Sequence, residues 1–281
     1  MNTPIKNYGF IAPVITPEHW VLGASAMPLV IRTELADWEP ALSYNELQNK
    51  KFETYNCTSF NTLKQIQMYM KLVFGINVNY SDRFLGIMAG TKAPGNDPQI
   101  VCEAIRHYGL IPEEMLPFSD DLENIDEYYS FKGADREACL AEGRRWLERF
   151  EFFHEWAFGD GLSVEDRLKN MEISLKTSPL ALAMYAWYPD GDGVYIKAGR
   201  ENHWTLVYKI EDLKRIVQRV SDSYEPFLKI ADQEINFCKR IYIERKPDPV
   251  PLEIKPEPLP APARKSWWQK LINWILNIIK K

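Results

Sequence analysis

The sequence predicts an α+β protein in which a helical half packs against a mainly antiparallel sheet. Two observations carry this. From about residue 50 to about 175 apolar residues recur at helical spacing. From about 176 to 246 they fall instead in short runs rich in aromatic and β-branched residues. Helices first and strands afterwards argues against repeated βαβ units. The 281 residues, 46% of them hydrophobic and 26% charged, are enough for a substantial core and ordinary for a globular chain.

Residues 1–40 read as an N-terminal extension punctuated by Pro13, Pro17, Pro28 and Pro40, with PLVIRTEL as one possible strand. A helix follows over about 57–71. Phe60, Leu63, Ile66 and Met70 line one face, while Asn61, Lys64, Gln65 and Lys71 fall mostly on the other. With Met68 and Tyr69 added, the apolar coverage predicts a substantially buried helix. GTKAPGNDP is a loop leading into a short helix that ends near Gly109. A longer helix is expected from about Asp135 to Trp156, and a shorter one begins after Ser163 as N-cap. PLALAMYAWYP, GVYIKA, HWTLVYKI, PFLKIA and NFCKRIYIE then read as strands.

The body spans 1–246. Residues 247–265 form a proline-rich, extended linker, and 266–281 an amphipathic helix with Trp267, Trp268, Leu271, Ile272, Trp274 and Ile275 on its apolar face. From Arg264 onward there are five basic residues and no acidic one, although the whole chain carries a net charge of -5. Sixteen residues make a helix of roughly 24 Å, short of a bilayer core of roughly 30 Å. The tail therefore lies in a membrane interface or docks on a protein assembly. The acidic body gives no reason to expect a specific nucleic-acid partner. MNTPIKNYGF shows no signal peptide, which leaves a cytoplasmic or virion-associated chain, peripheral at a membrane if the tail binds lipid. The four cysteines and four histidines are dispersed, with no CxxC, HExxH or compact cluster, so no metal or other cofactor is expected.

The stretch YNCTSFNTLKQIQMYM puts Cys57 where a helix begins. Cys57 is either a buried small residue or a nucleophile favoured by free N–H groups and the helix dipole. The second reading needs an imidazole. His203, at the head of the strand HWTLVYKI, follows Cys57 by 146 residues, which resembles the roughly 130–150 between nucleophile and base in papain-type peptidases. Asp222 comes 19 residues later, far enough for one strand to leave and another to return, and would orient the ring. Gln48 would donate a side-chain N–H to an oxyanion beside the amide of Cys57. His107 and His154 read as structural, Cys102, Cys139 and Cys238 as packing residues, and Trp187 and Trp204 as core or cleft wall.

This arrangement resembles the papain-like cysteine peptidases, in which a Gln precedes a Cys at the head of a long helix and the His and an Asn or Asp come from a later sheet. IVCEAIRHYGLIPEEMLPF, TSPLALAMYAW, NHWTLVYKI and DSYEPFLKI resemble successive stretches of that family, over about residues 38–235. Thr58, Ser59 and Phe60 stand where its Gly-x-Cys-Trp run would follow the nucleophile, Gln48 lies nine residues upstream, and Tyr224 replaces the usual Trp. The resemblance implies a Cys57–His203–Asp222 peptidase or amidase with Gln48 at the oxyanion, acting on a peptide or amide substrate and tethered by its tail. Divergent members, some encoded by tailed phages, imply the alternative of a catalytically inactive structural or interaction protein of a virion or membrane-associated assembly. For the tail, flotation with anionic liposomes is expected to depend on residues 264–281. Equal flotation of a chain ending at 263 removes the lipid-binding expectation.

Overall fold

The structure, a computed structural model, describes residues 7–247 apart from 17, 43 and 213–216. A compact unit ends at Lys246. The expected amphipathic helix, and all of the linker beyond residue 247, lie outside the described residues.

The two-residue strand β1 (Gly9–Phe10) opens the described chain, and α1 (Cys57–Phe74) is its longest helix. Gly75, in the left-handed conformation, stops α1. Ser81 caps α2 (Asp82–Met88) by accepting from the Phe84 amide. The short strand β2 (Gly95–Asn96) precedes α3 (Pro98–Tyr108), which starts with proline in its first turn and Asp97 as cap. The single-turn α4 (Ile125–Tyr128) leads to α5 (Arg136–Arg149), capped by Asp135. Gly109 and Gly143 let α3 and α5 meet: a Cβ on Gly109 would lie 2.0 Å from the Gly143 carbonyl oxygen.

The expected helix from Asp135 to Trp156 is corrected here. It ends at Arg149, and Phe150–Trp156 is strand β3. All seven residues of FEFFHEW pair antiparallel with β9 (Cys238–Arg245), so a partner far along the chain outweighs local helical spacing. PLVIRTEL is likewise no strand. The amides of Arg32 and Thr33 bond the Lys176 carbonyl, and Leu29, Ile31 and Leu35 face solvent.

After α6 (Val164–Leu175), which Ser163 caps as expected, come β4 (Leu180–Met184), β5 (Tyr195–Ile196), β6 (His203–Asp212), β7 (Val217–Ser221) and β8 (Leu228–Asp232). With β3 and β9 they form, among the described residues, a seven-stranded sheet ordered β3-β9-β4-β6-β7-β8-β5. Every pairing in it is antiparallel except β5 with β8. Strand β7, VQRVS, was not among the expected strands. It matters because its register with β6, Leu206 opposite Ser221, brings the start of β6 beside the end of β7.

Helix α1 lies against this sheet, and Cys57 to Met70 are all buried. Its polar residues do not face water as a two-sided helix would have them. Gln65 Nε2 donates to the carbonyls of Pro179 at 2.7 Å and Lys239 at 2.9 Å, and Lys64 Nζ donates to that of Asp222. A buried amide left without such partners would cost about 1–3 kcal/mol, so these bonds hold the helix in register on the sheet.

His154 has the structural role expected of it. Its Nε2 bonds Glu103 Oε1 at 3.1 Å and its Nδ1 accepts from Lys239 Nζ at 3.0 Å. Burial first, then the Lys239 charge, push its pKa down to about 3. Between pH 3 and the ordinary histidine value near 6.5, the unfolded chain therefore binds a proton that the folded chain does not. Asp82, raised to about 7 by burial, works in the opposite sense. The clean readout is therefore a difference between two chains. The unfolding free energy of the wild type minus that of His154→Gln should rise by about 1.4 kcal/mol per pH unit from pH ~4.5 to ~6 and level off above ~7. Urea titrations across this range check it.

Candidate active site

Cys57 is the first residue of α1, where the amides of the opening turn have no acceptor within the helix. The Trp204 N–H donates to Cys57 Sγ at 3.4 Å. The residue before Trp204 is His203, so the backbone of β6 joins the thiol to the imidazole strand. His203 Nε2 bonds Asp222 Oδ1 at 2.6 Å, and both side chains are fully buried. The β6–β7 register accounts for this pair. Ser221 stands opposite Leu206, so the next residue, Asp222, reaches Thr205, which projects to the same face of β6 as His203 and donates to the same carboxylate oxygen at 3.2 Å. The expected pairing of His203 with Asp222 is thus present.

Burial by itself would raise the Asp222 carboxyl. The charge and hydrogen bond of His203 and the Lys229 ammonium outweigh it and hold the carboxyl well below the usual range. When the ring is neutral, an anionic acceptor at Nε2 makes that nitrogen the protonated one and leaves the Nδ1 lone pair bare. Nδ1 has no hydrogen-bond partner among the described residues. The ring sits among three aromatic neighbours, with centroids 5.4 Å from Tyr224, 5.6 Å from Trp187 and 5.8 Å from Tyr8. Trp187 and Tyr224 therefore shield the imidazole. Trp204, fully buried between Phe10 and Trp156, is core.

Gln48 is buried and joined to the same locus. Its Oε1 accepts from Ser223 Oγ at 2.8 Å, and its amide donates to the Ser223 carbonyl at 3.1 Å. Its Nε2 donates to the Tyr8 carbonyl at 2.9 Å and to Glu53 Oε1 at 2.8 Å. Sequence reasoning missed Tyr8, Glu53 and Lys229. Lys229 left a signal, a lysine inside the apolar run PFLKIA. Glu53 and Tyr8 left none, because their roles depend on chain crossings.

The N-terminal extension lies across this site. β1 pairs in parallel with β2, Gly9 opposite Gly95 and Phe10 opposite Asn96. Phe10 stacks on Trp204 and fills an apolar cluster with Cys57, Trp156, Ala181 and Ala183. The crossing needs glycine twice. A Cβ on Gly9 would stand 2.3 Å from the Tyr55 oxygen, and one on Gly95 2.0 Å from the Gly9 oxygen, both at positive φ. So covered, the Cys57 thiol is pushed well above its ordinary pKa, chiefly by burial. The Trp204 and Thr58 amides oppose this, and the Asp222 and Glu53 charges add to it. The other three cysteines are also buried free thiols.

Neither a protein-family model nor a curated protein matches the chain. Solved structures do. Xylellain, a cysteine protease from Xylella fastidiosa, superposes with a TM-score of 0.58 at 11% identity, covering 84% of this chain and 96% of that one. The fold is papain-like. The Amb a 11 cysteine protease of ragweed pollen, in its proform, superposes with a TM-score of 0.50 at 14% identity, over 81% of this chain and 69% of that one. At these identities the likeness is one of fold.

If the N-terminal crossing is what shuts the thiol away, Gly9→Ala, which replaces none of the side chains around the imidazole, should raise the rate of Cys57 alkylation by iodoacetamide at least tenfold. Peptide mass spectrometry of the alkylated chain reads it, and an unchanged rate would show that something other than this crossing limits access.

Proposed function

We propose that the protein is a papain-like cysteine peptidase or amidase whose resting form is closed by its own N-terminal segment. The single observation that supports this best is the His203 ring. A buried carboxylate binds its Nε2–H, its Nδ1 is left bare, and the next amide along β6 holds the Cys57 sulfur. A general base needs that tautomer and that orientation.

In this reading His203 Nδ1 takes the thiol proton and Cys57 Sγ attacks the substrate carbonyl carbon. The oxyanion is met by Gln48 Nε2 and the Cys57 N–H. The imidazolium then gives its proton to the leaving amine, and water, deprotonated by the same nitrogen, releases the acyl group from sulfur. Asp222 stays ionised throughout and orients the ring. A peptide is favoured as substrate because what occupies the cleft is itself extended peptide, paired to β2 by its backbone and offering the Tyr8 carbonyl to Gln48. Residues 266–281 would attach the body to a membrane surface or a protein assembly.

One observation favours the second reading, a catalytically silent interaction module. Cys57, His203 and Asp222 have no solvent exposure at all. Incubation of the Gly9→Ala chain with a proteome-derived peptide library separates the two. On the first reading, new termini appear, and adding Cys57→Ala or His203→Ala lowers their rate of formation by about a thousandfold or more. A chain whose Cys57 alkylates readily but which cleaves no peptide would leave the silent module standing.

A further inference from the structure

Asp222 is shared. Its Oδ1 accepts from His203 Nε2 and from Thr205 Oγ1, and its Oδ2 accepts from Lys229 Nζ at 2.9 Å. Lys229 stands in β8 opposite Val220, next to the loop that links β7 to β8. Its ammonium is fully buried, lies 4.9 Å from the centroid of the Trp187 ring, and donates also to the carbonyls of Tyr224 and Pro226. A cation so placed loses its hydration and gains three oxygens, one of them charged. Two of those oxygens close the loop. The third belongs to the carboxylate that holds the imidazole.

We propose that Lys229 is a positioning residue for His203: its ammonium occupies Asp222 Oδ2, so that Oδ1 alone serves the imidazole, and its charge tempers the carboxylate's hold on the imidazolium. The inference rests on the reading of His203 and Asp222 as base and orienter. It goes beyond that reading by adding a fourth charged group to the relay. The other charged or titratable groups around the pair are Cys57 and Lys64 from α1, Glu53 from the loop before it, Tyr8 from the N-terminal segment and Tyr224 from the β7–β8 loop. Of the two lysines, Lys64 bonds the Asp222 backbone carbonyl, and only Lys229 bonds the carboxylate.

The sign follows from charge alone. Removing a buried positive charge makes every nearby site bind its proton more firmly. His203 then stays protonated to higher pH, by about one unit for charges several ångströms apart in a protein interior. The experiment uses the full chain with Lys229→Gln, which keeps a donor for the loop carbonyls, Lys229→Met, whose side chain can still pack on Trp187, and Lys229→Arg, which keeps the charge. The His203 ring is followed by carbon-detected NMR against pH, and Cys57 alkylation by iodoacetamide is followed over the same range. The expected result is an upward move of the His203 midpoint by about one unit in the Gln and Met chains and by less than about 0.3 unit in the Arg chain. A folded Gln or Met chain whose midpoint stays where the wild type has it would overturn the proposal and leave Lys229 a loop tie. The function proposed above fails separately. If His203 moves as expected while Cys57 in every chain, Gly9→Ala included, alkylates only at ordinary thiol pH, then Lys229 acts on the imidazole but Cys57 is no activated nucleophile.

Discussion

The side-chain amide of Asn61 is the joint on which the site depends. Its Nδ2 donates to the Trp204 carbonyl at 2.6 Å, to the Cys57 carbonyl at 3.2 Å and to Ser223 Oγ at 3.2 Å. One buried amide thereby ties the turn that carries the thiol, the strand that carries the imidazole and the residue after the carboxylate. Its neighbours on α1 extend the same logic. Lys64 reaches the Asp222 carbonyl, and Gln65 reaches β9 and the residue before β4. Apolar packing alone would let a helix slide on a sheet at little cost. A row of buried donors with one set of acceptors does not, because each slip would strand polar groups out of reach of water.

The charges at this joint pull in opposite directions. The helix start and two backbone amides favour a thiolate at Cys57, while burial, Asp222 and Glu53 favour the thiol, and burial wins. The N-terminal segment is held by its two-residue strand, by the Tyr8 amide on the Asn202 carbonyl and the Tyr8 carbonyl on Gln48, by the Tyr8 ring against His203 and Tyr224, and by Phe10 in an apolar cluster. Beneath it the His203–Asp222–Lys229 cluster is formed already, with its charges paired and its loop closed. The imidazole's support is thus assembled, and the sulfur is out of reach of solvent.

Much of this was legible in the chain and some was not, for reasons that differ from residue to residue. The start of α1 could be read because a cysteine stands before an unusually apolar helix. His203 could be read because the apolar run of β6 begins with it. Asp222 could be read from the length needed for one hairpin, although the strand that delivers it, β7, was not foreseen. The helix expected through Trp156 failed at Arg149 because FEFFHEW satisfies helical spacing and strand alternation alike, and its pairing with β9, more than eighty residues on, settles the matter. PLVIRTEL is rich in strand-formers and still pairs with no strand among the described residues, since the backbone it meets, at Lys176, is a helix end.

By itself the sequence determined a helical half followed by a strand-rich half, the thiol at a helix start, the imidazole at the head of a strand, and the carboxylate one hairpin's length further on. These follow from local periodicity and from spacing, which a single chain displays directly. The tertiary structure alone decided that the polar side of α1 is buried, that Gln48 is shared between Glu53 and the Tyr8 carbonyl, that Lys229 bonds the Asp222 carboxylate, and that Phe10 packs with Cys57 and Trp204. Each of these is a contact between segments far apart in sequence. Its energy comes from desolvating one polar group against a single partner, and nothing in the local pattern of either segment names that partner.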